Sequence, residues 1–270
     1  MEDINGTEQE KHKRTAGSRM GNLSAVGIGP GNENAMTGEA LAVLEKADII
    51  VGYTLYTELL KKIFPHKEYL STGMRQEKER CREAVRRAAE GRNVAVVSSG
   101  DSGVYGMAGL LLETLEEMPE QMENTDFQVI PGLTAALSGA ALLGAPLTHD
   151  FAVISLSDIL TAWEKIEKRL YAACRADLSI VLYNPISRRR TETFRRTCGI
   201  LKEELPGDRL AGLVRNIGRD GETHRILRLD ALEEAGLSGE IDMLTTVFIG
   251  NSETRMSGGR WMLTPRGYHL

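Results

Sequence analysis

Residues 93–106 read NVAVVSSGDSGVYG, in which an apolar, β-branched run passes directly into a glycine-rich loop. From 105 to 118 the apolar side chains recur at intervals of three and four, which predicts an amphipathic helix. A buried strand, a glycine loop and a helix in this order form the repeating unit of α/β folds. The stretch therefore predicts an α/β protein with a ligand site at this loop, because ligands of open α/β sheets bind at the carboxyl ends of strands.

The same alternation continues on both sides of this stretch. Buried strands are predicted at 23–29, 48–52, 66–70, 93–99 and 127–130, and again at 151–157, 178–184, 210–216, 224–229 and 244–250. The helical patterns between them imply mainly parallel or mixed sheets that helices cover on both faces. Two α/β domains are therefore expected, and the cleft between them is the default ligand site.

The domain boundaries are predicted from the positions where the alternation of strands and helices is interrupted. Residues 1–22 are polar and are expected to be a disordered extension. The N-terminal domain is expected at 23–148, because a small-residue helix at 133–146 ends in glycine and proline just before residue 149. The C-terminal domain is then expected at 149–254, with a tail at 255–270.

Composition and charge exclude several classes of function. The 270 residues are 41% hydrophobic, and no apolar run reaches the roughly 18 residues of a membrane-spanning helix. The N-terminus lacks the apolar centre of a secretory signal, so the expected location is cytoplasmic. A net charge of -5 argues against a surface built for nucleic acid. The cysteines and histidines lack the spacing of a metal site, so no protein-bound metal is expected.

A first glycine motif, GIGPG at 27–31, ends the first predicted strand. Glycine permits a tight turn and a close approach of backbone N–H groups to a ligand. A dinucleotide-binding fingerprint would need a third glycine where Asn32 stands, and a phosphate loop would need Gly-Lys-Ser/Thr after the turn. By itself this motif indicates a structural turn.

The glycine loop at 98–106 has two interpretations. Its tetrapeptide GDSG (100–103) is typical of serine proteases, with Ser102 as the nucleophile. Such proteases are all-β chains, however, and an α/β-hydrolase elbow would need glycine where Val104 stands. The loop is interpreted as a backbone clamp with Asp101 as its one charged group, and a serine hydrolase stays a remote alternative.

A third motif, PGLTAA at 131–136, joins a predicted strand to a helix of small residues. Small side chains would let a flat ligand lie against the backbone. A helix that packs closely on a sheet gives the same pattern, and this motif alone favours that interpretation.

Taken in order, the motifs resemble those of the tetrapyrrole methylase family over about 23–254. They are GxGPG (27–31), SGDxGVYG (99–106), PGxTAA (131–136), LYNP (182–185) and VRNIGR (214–219). Residues 148–158, 182–185, 215–219 and 242–247 are similar to the branch that methylates C17 of the corrin precursor. The resemblance implies an enzyme of cobalamin synthesis that transfers a methyl group from S-adenosylmethionine to a tetrapyrrole, with contraction of the ring. It also implies that the enzyme is a homodimer. A sibling enzyme that methylates another ring position is the alternative.

The resemblance also implies which residues bind the two ligands. The cofactor is expected to contact Pro30, Ser99, Gly100, Asp101, Val104, Thr134, Ala135, Asn184, Asn216 and Ile217. The tetrapyrrole is expected to contact Gly29, Gly31, Arg188, Arg215 and Arg219, since arginine suits its carboxylates. Arg195 and Arg196 are expected on a solvated helix face. Ser102 replaces the proline common in the family, so the loop is expected to be less rigid but active.

The chemistry of this reaction demands little of the side chains. Because a sulfonium donor is already activated, the enzyme mainly has to align a ring carbon behind the methyl group. Neither a metal nor a covalent nucleophile is required. Ring contraction needs proton movements, for which Tyr53, Tyr105, His149 and Asp150 are candidates by side-chain chemistry alone. No general base is assigned.

Overall fold

The computed structural model describes residues 20–73, 75–187 and 191–268. Its first sheet consists of β1 (Gly21–Gly27), β2 (Ile49–Tyr53), β3 (Glu68–Thr72), β4 (Asn93–Ser98) and β5 (Thr125–Ile130). The strands pair in the order β3-β2-β4-β1-β5, and every pair is parallel. A parallel sheet is buried on both faces, which explains the continuous apolar runs of β1, β2 and β4.

Helices cover both faces of this sheet. They are α1 (Gly38–Lys46), α2 (Thr54–Ile63), α3 (Glu77–Ala89), α4 (Ala108–Glu116) and α5 (Pro119–Met122). One core joins the sheet to α3 and α4 around Cys81 and Leu111. A second core joins it to α1 and α2 around Leu44 and Leu60. With both faces covered, the loops at the carboxyl edge are the part of the sheet that can meet a ligand.

The chain passes to a second sheet through α6 (Ala135–Leu143) and the two-residue strand β6 (Gly144–Ala145). This sheet consists of β7 (Phe151–Ser155), β8 (Ser179–Tyr183), β9 (Leu210–Arg215), β10 (Thr223–Arg228) and β11 (Thr245–Ile249). The order is β10-β9-β11-β8-β7. β7 and β8 are parallel, whereas β11 lies antiparallel between β8 and β9. The second sheet is therefore mixed.

The helices of the second half pack on one face of this sheet. They are α7 (Trp163–Arg175), α8 (Glu192–Glu204) and α9 (Leu232–Leu237). α6 covers the opposite face, where Ala136 and Ala140 pack in one cluster with Phe248. The helix expected to close the N-terminal domain thus packs on the second sheet, and the domain boundary near residue 149 stays a prediction.

The predicted tail contains a β-hairpin. Its strands are β12 (Arg255–Ser257) and β13 (Trp261–Leu263). β13 pairs in parallel with β6, so residues from the predicted tail join the connection between the sheets. Met262 and Thr264 are fully buried, and Thr264 Oγ1 donates to Pro146 O at 2.7 Å.

The structure confirms the α/β fold and all ten long strands. β1 begins at Gly21, two residues before the predicted strand, where Asn22 Nδ2 donates to Asn93 Oδ1 at 2.7 Å. The rest of the predicted extension, 1–19, lies outside the described residues. α5, α9 and the hairpin were not predicted, because each is too short to show a clear periodicity. In the described part of the chain, no helix is long and apolar enough to cross a membrane.

Candidate active site

Loops from both sheets enclose a cavity of about 380 Å³. Its described lining residues are Pro30, Tyr53, Leu55, Tyr56, Ser99, Gly100, Val104, Tyr105, Thr134, Ala135, Tyr183, Asn184, Asn216, Ile217, Arg219 and 243–246. These residues lie at or after the carboxyl ends of β1, β2, β4, β5, β8 and β9, or at the start of β11. Of the residues expected to contact the cofactor, all but Asp101 line this cavity.

The three glycine motifs meet in backbone contacts beside the cavity. Gly29 N donates to Gly100 O at 3.0 Å, and Gly100 N donates to Gly29 O at 2.7 Å. Gly132 comes so close that a Cβ there would lie 2.2 Å from Gly100 O. Gly29, which was expected to face the tetrapyrrole, instead lies in this contact and does not line the cavity. The glycines therefore position the loops.

Asp101 holds two of these loops together from outside the cavity. Its Oδ1 accepts from Gly103 N at 2.8 Å, and its Oδ2 accepts from Gly132 N at 2.8 Å. Both carboxylate oxygens are thus bonded to backbone. The expected direct contact of Asp101 with the cofactor stays a prediction, while the geometry gives this residue a role in shaping the neighbouring Gly100.

Ser102 is fully buried. Its Oγ lies 3.5 Å from Ser98 Oγ, and Ser98 Oγ in turn accepts from Met107 N at 3.1 Å. No hydrogen bond within the described ranges joins Ser102 to a histidine. A buried hydroxyl without a base cannot attack a substrate, so the serine-hydrolase alternative is wrong.

Two tyrosines of the cavity have their hydroxyl groups bonded to the protein. Tyr105 Oη donates to Val153 O at 2.9 Å, and Tyr183 Oη accepts from Ala136 N at 2.6 Å. Their rings lie 5.6 Å apart. Tyr183 thereby fixes the start of α6, where Thr134 Oγ1 lies 2.5 Å from the same hydroxyl. Burial raises the pKa of Tyr183, so its phenol stays protonated at neutral pH.

Left-handed backbone occurs at three polar or aromatic positions of the lining. Tyr105, Asn184 and Asn216 have φ of 55°, 54° and 54°. Asparagine tolerates this region better than most residues, whereas tyrosine is uncommon in it. Such strain is common where a loop is shaped for a ligand.

Arg219 is the one charged side chain among the described residues of the lining. Its Nε donates to Pro30 O at 3.0 Å and its Nη2 to Ser99 Oγ at 3.0 Å. Gly31 lies against its side chain, since a Cβ at Gly31 would be 2.3 Å from Arg219 Cγ. Asn32 Nδ2 also donates to Gly218 O at 3.1 Å. The loop after β9 is thus tied to the loop after β1.

Tyr53 and Tyr56 line the cavity from the carboxyl end of β2, with ring centres 5.5 Å apart. Burial raises the pKa of Tyr56, and the nearby Arg219 opposes this rise. The sequence did not single out Leu55, Tyr56 or the lining role of 243–246. Their position beside the ends of predicted strands was the available signal.

Other predicted residues lie elsewhere. Arg215 does not line the cavity, and its Nη2 forms an ion pair with Asp242 Oδ2 at 2.7 Å. His149 and Asp150 are also absent from the lining, which leaves Tyr53 and Tyr105 as the proton-transfer candidates at the cavity. Arg188 lies outside the described residues.

The two arginines expected on a solvated face differ. Arg195 is exposed and lies 3.9 Å from both Glu192 and Glu233. The Arg196 guanidinium lies 4.3 Å from the ring centre of the buried Trp163, so its side chain also packs.

In the described part of the chain, no cluster of three or more metal-ligating side chains occurs. The cavity is instead lined by backbone, hydroxyl, amide, aromatic and apolar groups around one arginine. Such a site can bind and orient an organic ligand.

The fold and this cavity define a class of enzymes. A family model described as tetrapyrrole (corrin/porphyrin) methylases matches residues 22–233, and the chain belongs to this family. One relative is the probable cobalt-factor III C(17)-methyltransferase of Salmonella typhimurium, 44% identical over 92% of this chain and 100% of the relative. Another is the cobalt-factor III methyltransferase of Priestia megaterium, 45% identical over 92% of this chain and 45% of the relative. The crystal structure of the methyltransferase CobJ superposes with a TM-score of 0.84 at 42% identity, over 91% of this chain and 100% of the other.

Proposed function

We propose that this chain is an S-adenosylmethionine-dependent C17-methyltransferase of cobalamin biosynthesis. Its substrate is cobalt-factor III or precorrin-3B, and methylation is coupled to ring contraction. The observation that carries the proposal is the cavity, because the five motifs that resemble the family all lie at or beside it. The names of the relatives, each of which matches 92% of this chain, support the same reaction.

The residues present fit S-adenosylmethionine. The cavity volume of about 380 Å³ is within the range of small-molecule sites. Val104, Ala135 and Ile217 offer apolar surface, and hydroxyl and amide groups stand beside them. The residues proposed to hold the cofactor are Pro30, Ser99, Gly100, Val104, Thr134, Ala135, Asn184, Asn216 and Ile217, with Asp101 proposed as a further member.

The proposed chemistry is mainly one of alignment. The bound cofactor supplies an activated methyl group. The chain holds its loops in place through the glycine contacts, Asp101 and Tyr183, so that little reorganisation is needed when the ligands meet. Tyr53 and Tyr105 are the described lining residues proposed for proton transfer.

The tetrapyrrole is proposed to enter from the side of Arg219. Gly29 and Gly31 are proposed to shape this side from beneath, since Gly31 lies against the Arg219 side chain. Arg188 remains proposed as a further carboxylate ligand. Arg215 would have to exchange its ion pair with Asp242 for a substrate carboxylate.

The test is methyl transfer from S-adenosylmethionine with a deuterated methyl group. The purified protein is incubated anaerobically with cobalt-factor III and, in parallel, aerobically with precorrin-3B. One labelled methyl group on C17 of either macrocycle, located by mass spectrometry and NMR, is the expected result and identifies the substrate. Reactions with excess S-adenosylhomocysteine are the control. A label at another ring position would mean the sibling activity. Absence of any transfer, despite S-adenosylhomocysteine binding, would overturn the assignment.

We further propose that the enzyme is a cytoplasmic homodimer. Val129, Leu133 and Leu137 form an exposed apolar series along β5 and α6, with 44%, 44% and 51% of their surfaces accessible. Such series are typical of surfaces that a partner covers. Light scattering should give twice the mass of one chain, and a single-chain mass would contradict the dimer.

A further inference from the structure

The phenol of Tyr56 differs from those of Tyr105 and Tyr183. The latter two hydroxyl groups are bonded to the backbone at 2.9 and 2.6 Å. Within the described ranges, Tyr56 Oη has no hydrogen-bond partner, although the residue is half-buried and lines the cavity. This hydroxyl is therefore free to donate to a ligand in the cavity.

Arg219, which lines the same cavity, has hydrogen-bond donors that its described partners do not use. Nε and Nη2 are used by Pro30 O and Ser99 Oγ, which leaves Nη1. No carboxylate of the described chain pairs with Arg219, whereas Arg215 is neutralised by Asp242. The described lining contains neither aspartate nor glutamate. The charge of Arg219 is therefore available to an acidic ligand in the cavity.

We propose that Tyr56 and Arg219 together bind one carboxylate of a ligand in this cavity. This inference rests on the proposed function and adds Tyr56 as a residue that contacts a ligand. The phenol donates to one carboxylate oxygen and the free Nη1 to the other. Because two bonds already fix the guanidinium, little side-chain entropy is lost on binding.

Two ligands carry such a carboxylate. One is the macrocycle, through its acidic side chains, and the other is the cofactor, through its methionine moiety. Both would present the same chemistry to Tyr56 and Arg219. Charge-assisted hydrogen bonds of this kind are strong enough for their loss to be measured by equilibrium binding.

The test compares Tyr56→Phe with the unchanged protein. We expect affinity to fall about 10-fold for one of two probes, S-adenosylhomocysteine measured by calorimetry or cobalt-factor III measured by absorbance titration. The probe that loses affinity identifies the source of the carboxylate. Tyr171→Phe, which removes a phenol bonded to Glu203 on the surface, is the control and should bind both probes unchanged.

A second comparison tests whether the two residues share one carboxylate. Arg219→Lys keeps the charge but loses the fork of donors. If both residues hold the same carboxylate, the double variant should lose less affinity than the product of the two single losses. Unchanged affinity of Tyr56→Phe for both probes, or fully multiplicative losses, would overturn the inference. Neither outcome depends on methyl transfer, so failure of this inference is distinguishable from failure of the proposed activity.

Discussion

At Gly132 the backbones of three loops come together. A Cβ there would lie 2.2 Å from Gly100 O and 2.7 Å from the carbonyl carbon of Gly27. Both neighbours are backbone atoms of loops that are themselves hydrogen-bonded, so neither can move aside without moving Gly29 as well. The requirement for glycine at this residue is therefore steric.

Gly132→Ala should separate these loops. We expect a loss of about 1–3 kcal/mol in the free energy of unfolding, as for other overpacked sites, and a marked loss of S-adenosylhomocysteine affinity. Urea unfolding and calorimetry measure the two effects. Gly109→Ala is the matched control, because a Cβ at Gly109 in α4 would have no atom within 4 Å outside its own stretch of helix. Equal behaviour of the two variants would contradict the role of Gly132.

Ser102 is expected to be dispensable for the chemistry. Ser102→Ala removes a hydroxyl whose partner is Ser98 Oγ at 3.5 Å, a long contact. We expect kcat/KM for methyl transfer to stay within about twofold of the unchanged protein, since such contacts contribute little. Ser102→Pro, which restores the residue common in the family, should also remain active. Abolished turnover in Ser102→Ala would return this serine to the list of catalytic groups.

How far the sequence predicts the cavity depends on the residue. Pro30, Ser99 and Asn184 stand where a strand ends, and motif position was enough to place them at the cavity. Tyr56 belongs to no motif, and whether its hydroxyl has a partner depends on distant loops. Arg215 was assigned to substrate because it stands at a strand end, and its pairing with Asp242, 27 residues away in the chain, has no local signal.

Among the elements, the strands were predictable and their order was not. β1, β2, β4, β8 and β11 contain no charged residue and are mostly apolar or β-branched, so composition alone marks them as buried. The insertion of β11 between β8 and β9 is set by packing of whole elements. For the same reason, the small residues of α6 predicted a closely packed helix but could not say which sheet it covers.

The segment that leads into β11 is held by Asp242. Burial alone would raise the pKa of this carboxyl, but hydrogen bonds from Arg215, Leu244 N and Thr245 outweigh burial and lower it. A carboxyl with a lowered pKa stabilises the fold above its ordinary pKa, and this contribution is lost as pH falls through the folded-state value.

Asp242→Asn should therefore reduce stability near neutral pH by about 1 kcal/mol, a figure that allows for solvent screening of this partly exposed pair. The difference from the unchanged protein should shrink at an acidic pH below the ordinary aspartate pKa of about 3.9, as the carboxyl becomes protonated. Urea unfolding at both pH values measures this. Asp126→Asn, at an exposed carboxyl without an ion pair in the described chain, is the control. A difference independent of pH would contradict the assignment.

At the scale of the whole molecule, three free thiols lie in the two cores. Cys81 is buried under the first sheet, and Cys174 and Cys198 are buried under the second. Burial raises their pKa values to about 12, 11 and 12. The thiolate is the reactive form of cysteine. The folded protein therefore protects these groups in two ways, because reagents cannot reach them and because the thiols stay protonated.

The thiols should react with iodoacetamide only when the protein unfolds. We expect Cys81 to be labelled at the same rate as Cys174 and Cys198, because Arg219 and Tyr105 bond the two halves to each other across the cavity. Pulsed alkylation in urea followed by peptide mass spectrometry gives the three rates. Faster labelling of Cys81 alone would show that the halves unfold separately.

The pairing of β13 with β6 has a consequence for synthesis on the ribosome. Domains fold as units while the chain emerges. The first sheet uses strands only up to Ile130 and can assemble early, whereas the second must wait for β11 to enter its centre. The connection at Gly144–Ala145 waits longer still, until Trp261–Leu263 has been translated. The nascent chain therefore lacks this pairing while more than a hundred further codons are translated, and the ligand cavity can form only after its lining residues at 243–246 have been translated.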